Sequence, residues 1–284
     1  MPGGVDLHTH TTCSDGTFTP RALVAEAARR GVRVLAVTDH DSTDGLADAM
    51  AAASEHPPLT IVPGIEINCD VEGAEIHVLG YYMDYEAPWF QDFCRAQREE
   101  RRARVVRTAE RLAELGLPVD VERVFALVQE GSAGRPHIAR VMVERGYVKT
   151  VREAFDRYLA SGKPAHVPRR RLSPEDAVRL LRRAGGVPVL AHPGLANRDA
   201  MIPDLVAAGL MGIECYYPEH SPAQRGAYAE LCRRHGLVAT GGSDFHGPTV
   251  RAAQLGHPTV PLAAWEALRA KAAESRARAG DQPA

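Results

Sequence analysis

Nine side chains able to bind a cation are spread along the chain: His8, His10, Asp15, His40, Glu66, His77, His192, Asp244 and His246. Most of them close a short apolar run, so a fold that gathers the ends of those runs also gathers the ligands. A mixed imidazole and carboxylate shell suits manganese, iron or zinc better than calcium. Clustered cations neutralise the oxygens of an anionic ester and lower the pKa of a bound water toward ~7, so the pattern points to hydrolytic chemistry at a multinuclear site.

The motifs carry this reading further. His8 and His10 are two apart on an expected strand, so both side chains leave one face and can reach one ion, with Asp15 in the loop that follows. Thr38-Asp39-His40-Asp41 closes a second strand, Gly64-Ile65-Glu66-Ile67 a third and Ala191-His192-Pro193 a later one. Gly242-Ser243-Asp244-Phe245-His246-Gly247 follows the last strand, and His77 falls inside one. In a parallel barrel the carboxyl ends of all strands open on one rim, where residues distant in sequence converge. Asp39 and Asp41, beside His40, could orient ligands from behind, and turn hydrogen bonding explains them equally well.

The elements that must position these residues follow from periodicity. Short apolar runs at 5–9, 32–38, 60–67, 75–82, 187–191, 212–216 and 237–240 alternate with amphipathic segments, the pattern of a parallel α/β architecture. Thr19-Pro20 and Ser173-Pro174 place a capping hydroxyl before a proline at the first helical position. Between 88 and 165 strand signals vanish. A long charged helix over 89–115 and apolar-periodic segments near 121–129, 137–145 and 151–159 take their place, separated by Gly and Pro. The expected organisation is a catalytic barrel over 1–87 and 166–284 with an inserted helical substrate-binding subdomain over 88–165. The last ten residues lack apolar periodicity and are expected to fray.

Composition narrows the function classes. The 284 residues are 45% hydrophobic and 25% charged, enough for a full core in one large domain or a barrel with an insertion. A net charge of −2 gives no global attraction to nucleic acid or an anionic membrane, so neither duplex DNA nor membrane binding is expected. No apolar run approaches the ~20 residues needed to span a bilayer, and the odd cysteine count, without a Cys-x-x-Cys pair, suits reduced thiols in the cytoplasm. Gly-x-Ser-x-Gly is absent and Cys13 has no activating partner outside the ligand set, which disfavours a nucleophilic hydrolase.

Asp6-Leu7-His8-Thr9-His10, Thr38-Asp39-His40, Gly64-Ile65-Glu66, Ala191-His192-Pro193 and Ser243-Asp244-Phe245-His246 resemble the motifs of the polymerase and histidinol phosphatase (PHP) family. The resemblance implies an α/β fold, a distorted (β/α)7 barrel, holding two or three divalent ions, manganese first and iron or zinc as alternatives. It implies His8, His10, Glu66 and Asp244 around one ion, Asp15, His40 and His246 around a second, and Glu66, His77 and His192 around a third.

The insertion holds Gly134-Arg135-Pro136-His137, with Arg135 just before a helix start, where a guanidinium and free amides can grip a phosphate; a solvated arginine in a helix-initiating loop is the alternative. This insertion resembles that of the PHP branch acting on nucleoside 3′,5′-bisphosphates and on 5′ ends of short RNA. The resemblance implies that insertion arginines hold the phosphate that is not cleaved. Arg101 and Arg102 are the matching candidates on the long helix, although Arg and Glu mixed along a helix usually form a solvated face. Lys163 and His220 are further candidates, and Tyr216 and Tyr217 could stack on a base or pack in the core.

The activity expected is metal-dependent removal of the 3′-phosphate of a nucleoside 3′,5′-bisphosphate, with 5′-3′ trimming of short RNA as a second activity. A histidinol phosphatase or other small-molecule phosphatase is the alternative, and a non-catalytic, metal-stabilised interaction module is the alternative of another class.

Overall fold

In the computed structural model, the described residues are 4–71, 74–128, 131–168, 172–248 and 253–280. Seven strands form one sheet: β1 (Gly4–Asp6), β2 (Val32–Val37), β3 (Thr60–Val71), β4 (Ala74–Tyr81), β5 (Val187–Leu190), β6 (Gly212–Tyr216) and β7 (Val238–Gly241), neighbours in that order. Beyond β1 and β7 the two ends of the sheet meet. Leu7 N–H donates to Gly241 O at 3.1 Å, Asp244 N–H to His8 O at 2.8 Å and His10 N–H to Phe245 O at 2.9 Å, which brings the sheet round into a distorted barrel.

An all-parallel arrangement was the expectation, and β4 departs from it. β1, β2 and β3 pair in parallel, as do β5, β6 and β7, but β4 is antiparallel to both β3 and β5. Only positions 72–73 separate β3 from β4, and a parallel return needs a crossover of roughly a dozen residues or more. The reversal has a direct effect on the site. The beginning of β4, not its end, lies at the rim where the parallel strands finish, which is how His77 joins the rim from inside a strand.

The helices are α1 (Pro20–Arg29), α2 (Leu46–Ala53), α3 (Pro88–Glu114), α4 (Val121–Ala126), α5 (Arg135–Glu144), α6 (Val151–Ala154), α7 (Pro174–Arg183), α8 (Pro193–Ala196), α9 (Ile202–Ala208), α10 (Pro222–His235) and α11 (Leu262–Gly280). Thr19 and Ser173 cap α1 and α7, each oxygen accepting from a first-turn amide. The barrel interior is apolar, with Val5, Leu7, Val34, Val62, Leu79, Tyr81 and Val189 packed toward Leu268 of α11. A second layer, including Leu23, Leu35, Ile65, Ile67, Leu181 and Ile213, lies between strands and outer helices. The segment from α3 to the π-helical turn Phe155–Leu159 has its own cluster around Val105, Leu112, Val124, Ile138 and Leu159.

The expected fraying is corrected over 275–280, and positions 281–284 lie outside the described residues. α11 continues to Gly280, and Ser275 is buried, donating to Gly186 O at 3.1 Å and accepting from Arg182 at 2.7 Å. A hydroxyl tied at both sides holds the helix end without an apolar stripe.

Candidate metal centre and its cavity

Glu66 is the hub of the rim. Its Oε2 lies 3.3 Å from His8 Nε2, 3.3 Å from His10 Nε2 and 3.0 Å from His40 Nδ1. Its Oε1 lies 2.8 Å from His77 Nδ1 and 3.1 Å from His192 Nε2. Asp244 Oδ1 approaches His10 Nε2 at 3.2 Å and His8 Nε2 at 3.5 Å, while Asp15 Oδ1 approaches His246 Nε2 at 3.2 Å. All nine residues singled out in the sequence therefore come together. Among the described residues, eight of them form three groups with cation-binding spacing: His8, His10, Glu66 and Asp244; His10, Asp15, His40 and His246; and His40, Glu66 and His77, with His40 where His192 was expected, while His192 stands outside these groups against Glu66 Oε1.

The donor set fits divalent cations on a structural criterion. His8 Nε2, His10 Nε2, His40 Nδ1 and Glu66 Oε2 are buried without a hydrogen-bond partner, although they lie close together. Buried polar atoms are costly to leave unmatched, and four converging lone pairs are what a cation satisfies. Burial opposes ionisation of all these groups, yet the charges answer one another. His246 and His40 hold the Asp15 carboxyl well below the usual carboxylate range, and Asp244 and Glu66 push His10 up to about 9 against the cost of burial. Cation binding here must displace protons. Three of the non-glycine residues with positive φ belong to this rim, Asp41 (50°), His192 (27°) and Asp244 (52°), backbone strain of the kind that accumulates at functional sites.

The groups behind the ligands were less visible in the sequence. Glu214, a lone acid in the apolar strand β6, has Oε1 3.0 Å from His8 Nδ1 and accepts from the His192 N–H at 2.8 Å through Oε2. Asp6 accepts from Ser243 N–H (2.8 Å) and Oγ (2.6 Å) and from Gly256 N–H (2.8 Å), holding the segment that carries Asp244 and His246. Tyr217, weighed above as a base platform or core residue, donates its hydroxyl to Asp244 Oδ2 at 2.9 Å. Asp39 accepts from Thr11 N–H (2.8 Å), Thr11 Oγ1 (2.6 Å) and Ser14 Oγ (2.5 Å), so it pins the loop bearing Asp15. Glu214 must be a carboxylate, because both neighbours donate to it and a glutamine would turn a donor toward one of them. Glu214→Gln is expected to weaken divalent-cation affinity about 10–100-fold, the usual cost of losing a carboxylate behind a ligand histidine, with the fold retained. Metal titration alongside circular dichroism reads this; unchanged affinity would count against the role.

Over the cluster lies a cavity of about 800 Å³, walled by the metal-binding rim on one side and by α3, α5 and the π-helical turn on the other. Arg101, Arg104 and Arg135 line it. Arg101 Nε donates to Asp41 at 2.6 Å and its Nη2 to Asn68 Oδ1. Arg135 donates to Glu75 and to Leu159 O (3.2 Å), and Arg104 donates to Val167 O (2.7 Å) and reaches Glu75 Oε1 at 3.4 Å. These two arginines hold Glu75 well below the usual carboxylate range despite its burial. Three guanidinium charges thus face two carboxylates, leaving a net positive wall.

Arg102 is not brought to the cavity. It is exposed and stacks on Phe125, with Cζ 3.8 Å from the ring centroid. Successive helix residues are rotated by about 100°, so the residue sharing the face of Arg101 is Arg104, three positions on. His137 is buried and is not among the residues lining the cavity; its Nδ1 accepts from the Gly134 N–H at 3.1 Å, its Nε2 has no hydrogen-bond partner among the described residues, and burial pushes it down to about 4. His220 is a satisfied core histidine, Nδ1 on Cys215 O and Nε2 accepting from Gly194 N–H, each at 3.1 Å. Lys163 is exposed and outside the cavity wall. The Asp41 carboxylate holds Arg101 and accepts from the Asn68 N–H at 3.2 Å. The insertion also grips the metal loop, since Ser132 N–H donates to Cys13 O at 2.9 Å and Arg140 donates to Asp15 O.

The PHP domain family matches residues 6–160, more than half of the chain. The chain belongs to the PHP family. Among curated relatives of this PHP protein, the 5′-3′ exoribonuclease Rnm of Escherichia coli is 38% identical over 256 residues, covering 86% of this chain and 85% of its own length. The phosphoribosyl 1,2-cyclic phosphate 1,2-diphosphodiesterase of Eggerthella lenta is 37% identical, covering 88% and 97%, and the 3′,5′-nucleoside bisphosphate phosphatase of Chromobacterium violaceum is 34% identical, covering 94% and 97%. A solved structure from Bifidobacterium adolescentis, described as a metal-dependent phosphoesterase, superposes with a TM-score of 0.88 at 31% identity, covering 95% and 97%. These matches place the chain among the phosphoester hydrolases of the PHP family. Among the described residues, no helix is long and apolar enough to cross a membrane.

Proposed function

We propose that this protein removes the 3′-phosphate of nucleoside 3′,5′-bisphosphates and, in the same cavity, releases 5′ nucleotides from short RNA. One observation carries the reading: a single cavity holds a histidine–carboxylate cluster on one side and Arg101, Arg104 and Arg135 on the other. Such a cavity offers two separate places for anionic groups, and a substrate with two phosphates fills both. Two of the relatives bear names for these two activities.

His8, His10, Glu66 and Asp244 would hold one divalent cation, Asp15, His40 and His246 a second, and Glu66, His77 and His192 a third, with manganese the first choice and iron or zinc the alternatives. When bound, such ions neutralise the phosphoryl oxygens and lower the pKa of water toward ~7. The chain's own residues do the rest. Glu214, Asp6, Asp39 and Tyr217 orient the ligands, and Arg101, Arg104 and Arg135 hold the phosphate that stays on the product. The barrel over 1–87 and 166–284 would supply catalysis and the helical part over 88–165 recognition. Five cysteines outside any disulfide suit a cytoplasmic setting.

Purified protein supplied with manganese should release phosphate from adenosine 3′,5′-bisphosphate far faster than from histidinol phosphate. No turnover of the bisphosphate with manganese, iron or zinc would refute the proposal, and a preference for histidinol phosphate would replace it with the alternative.

A further inference from the structure

Asn68 stands between the two sides of the cavity. Its Oδ1 accepts from Arg101 Nη2, its Nδ2 lies 2.7 Å from His77 Nε2, and its backbone N–H donates to Asp41, which also holds Arg101. The two ends of the amide are not interchangeable here. A guanidinium only donates, so the oxygen must face Arg101 and the NH2 must face His77. His77 Nε2 is then an acceptor, and the hydrogen of the neutral ring sits on Nδ1, 2.8 Å from Glu66 Oε1. Donor and acceptor identity alone assigns every group in this chain of four residues.

This assignment conflicts with a cation on His77. Nδ1 carries a hydrogen, and the lone pair of Nε2 is taken by the amide. A cation on Nδ1 requires the ring hydrogen to move from Nδ1 to Nε2, with no net proton change, and Nε2–H then needs an acceptor. Asn68 becomes one by turning its amide over, which sets its NH2 against Arg101, donor facing donor. A cation on Nε2 would displace only the NH2 and leave Oδ1 on Arg101, but Nδ1 is the nitrogen that faces Glu66. By the Nδ1 route the bond between Asn68 and Arg101 is lost.

We propose that Asn68 is a positioning residue that couples cation binding at His77 to phosphate binding at Arg101. A cation on His77 releases Arg101 from Asn68 toward an incoming phosphate, while a phosphate on Arg101 leaves Asn68 able to turn for the cation. By linkage each ligand tightens the other by the same factor. The inference rests on the proposed reading of the Glu66–His77 group as a cation position and of Arg101 as a phosphate contact.

The test is equilibrium dialysis of the full chain against manganese, with and without adenosine 5′-monophosphate, with elemental analysis of bound metal. In the wild type the nucleotide should tighten the weakest manganese position. In Asn68→Ala that tightening should shrink by about fivefold or more, because the exclusive bond is gone. Asn68→Asp supplies a second reading. An acceptor-only side chain can receive Arg101 and His77 Nε2–H together, so the coupling should shrink while ¹⁵N spectra of metal-free protein show a hydrogen on His77 Nε2, with Nδ1–H still donating to Glu66. Coupling equal to wild type in both variants would overturn the role of Asn68 and leave the parent reading standing. A wild-type chain that takes up no manganese, or does not bind the nucleotide, would overturn the parent reading and this inference with it.

Discussion

Glu66→Gln is expected to lower turnover of adenosine 3′,5′-bisphosphate by about 10³-fold or more, a loss of several kcal/mol of transition-state stabilisation. The size follows from position. Glu66 belongs to two of the three cation-binding groups, and its two oxygens face five imidazoles, so the change weakens more than one ion position at once. A glutamine also brings an NH2 into a space where a carboxylate only accepts. Elemental analysis should show fewer bound ions per chain, and circular dichroism should show the fold intact, because the change leaves the side-chain volume nearly the same. Full metal content with full activity would remove Glu66 from the centre of the mechanism.

Arg135→Ala is expected to cost about 10–100-fold in kcat/KM on adenosine 3′,5′-bisphosphate, the worth of one or two charge-assisted hydrogen bonds. On adenosine 3′-monophosphate, which lacks the second phosphate, the loss should be slight. That contrast separates recognition from damage to the fold, since Arg135 also donates to Leu159 O and Glu75 and its removal loosens the π-helical turn. Arg135→Lys keeps the charge without the fork and should fall between the two. Equal losses on both substrates would mean that Arg135 acts on structure and not on the phosphate.

Much of this arrangement was legible in the chain, and the gaps have physical causes. All seven strands could be placed because each is a short apolar run with a clear end, and the ligands could be listed because imidazoles and carboxylates at those ends are chemically conspicuous. Strand direction was not legible from periodicity, which is the same read either way; the clue was the gap of 68–74 between the runs at 60–67 and 75–82, too short for a crossover. Glu214 was passed over because an acid inside an apolar run looks like an interruption until its two donors are in view. Arg104 was missed and Arg102 chosen because adjacency in sequence is not adjacency on a helix. His220 shows the opposite error. A histidine whose partners are backbone groups resembles a functional one in sequence, and only the coordinates show that its hydrogen bonds are already committed.

α3 links these parts mechanically. Its 27 residues span about 40 Å with no glycine or proline past the first turn, so nothing along it can hinge. Its lower part, through Phe90 and Cys94, is embedded in the barrel wall, while Val105 and Leu112 belong to the upper cluster, with Arg101 and Arg104 at the junction. One unbroken rod therefore sets the height of Arg101 and Arg104 relative to the histidine–carboxylate rim. Selection can re-tool its upper end for a new ester while the lower end keeps the same calibration.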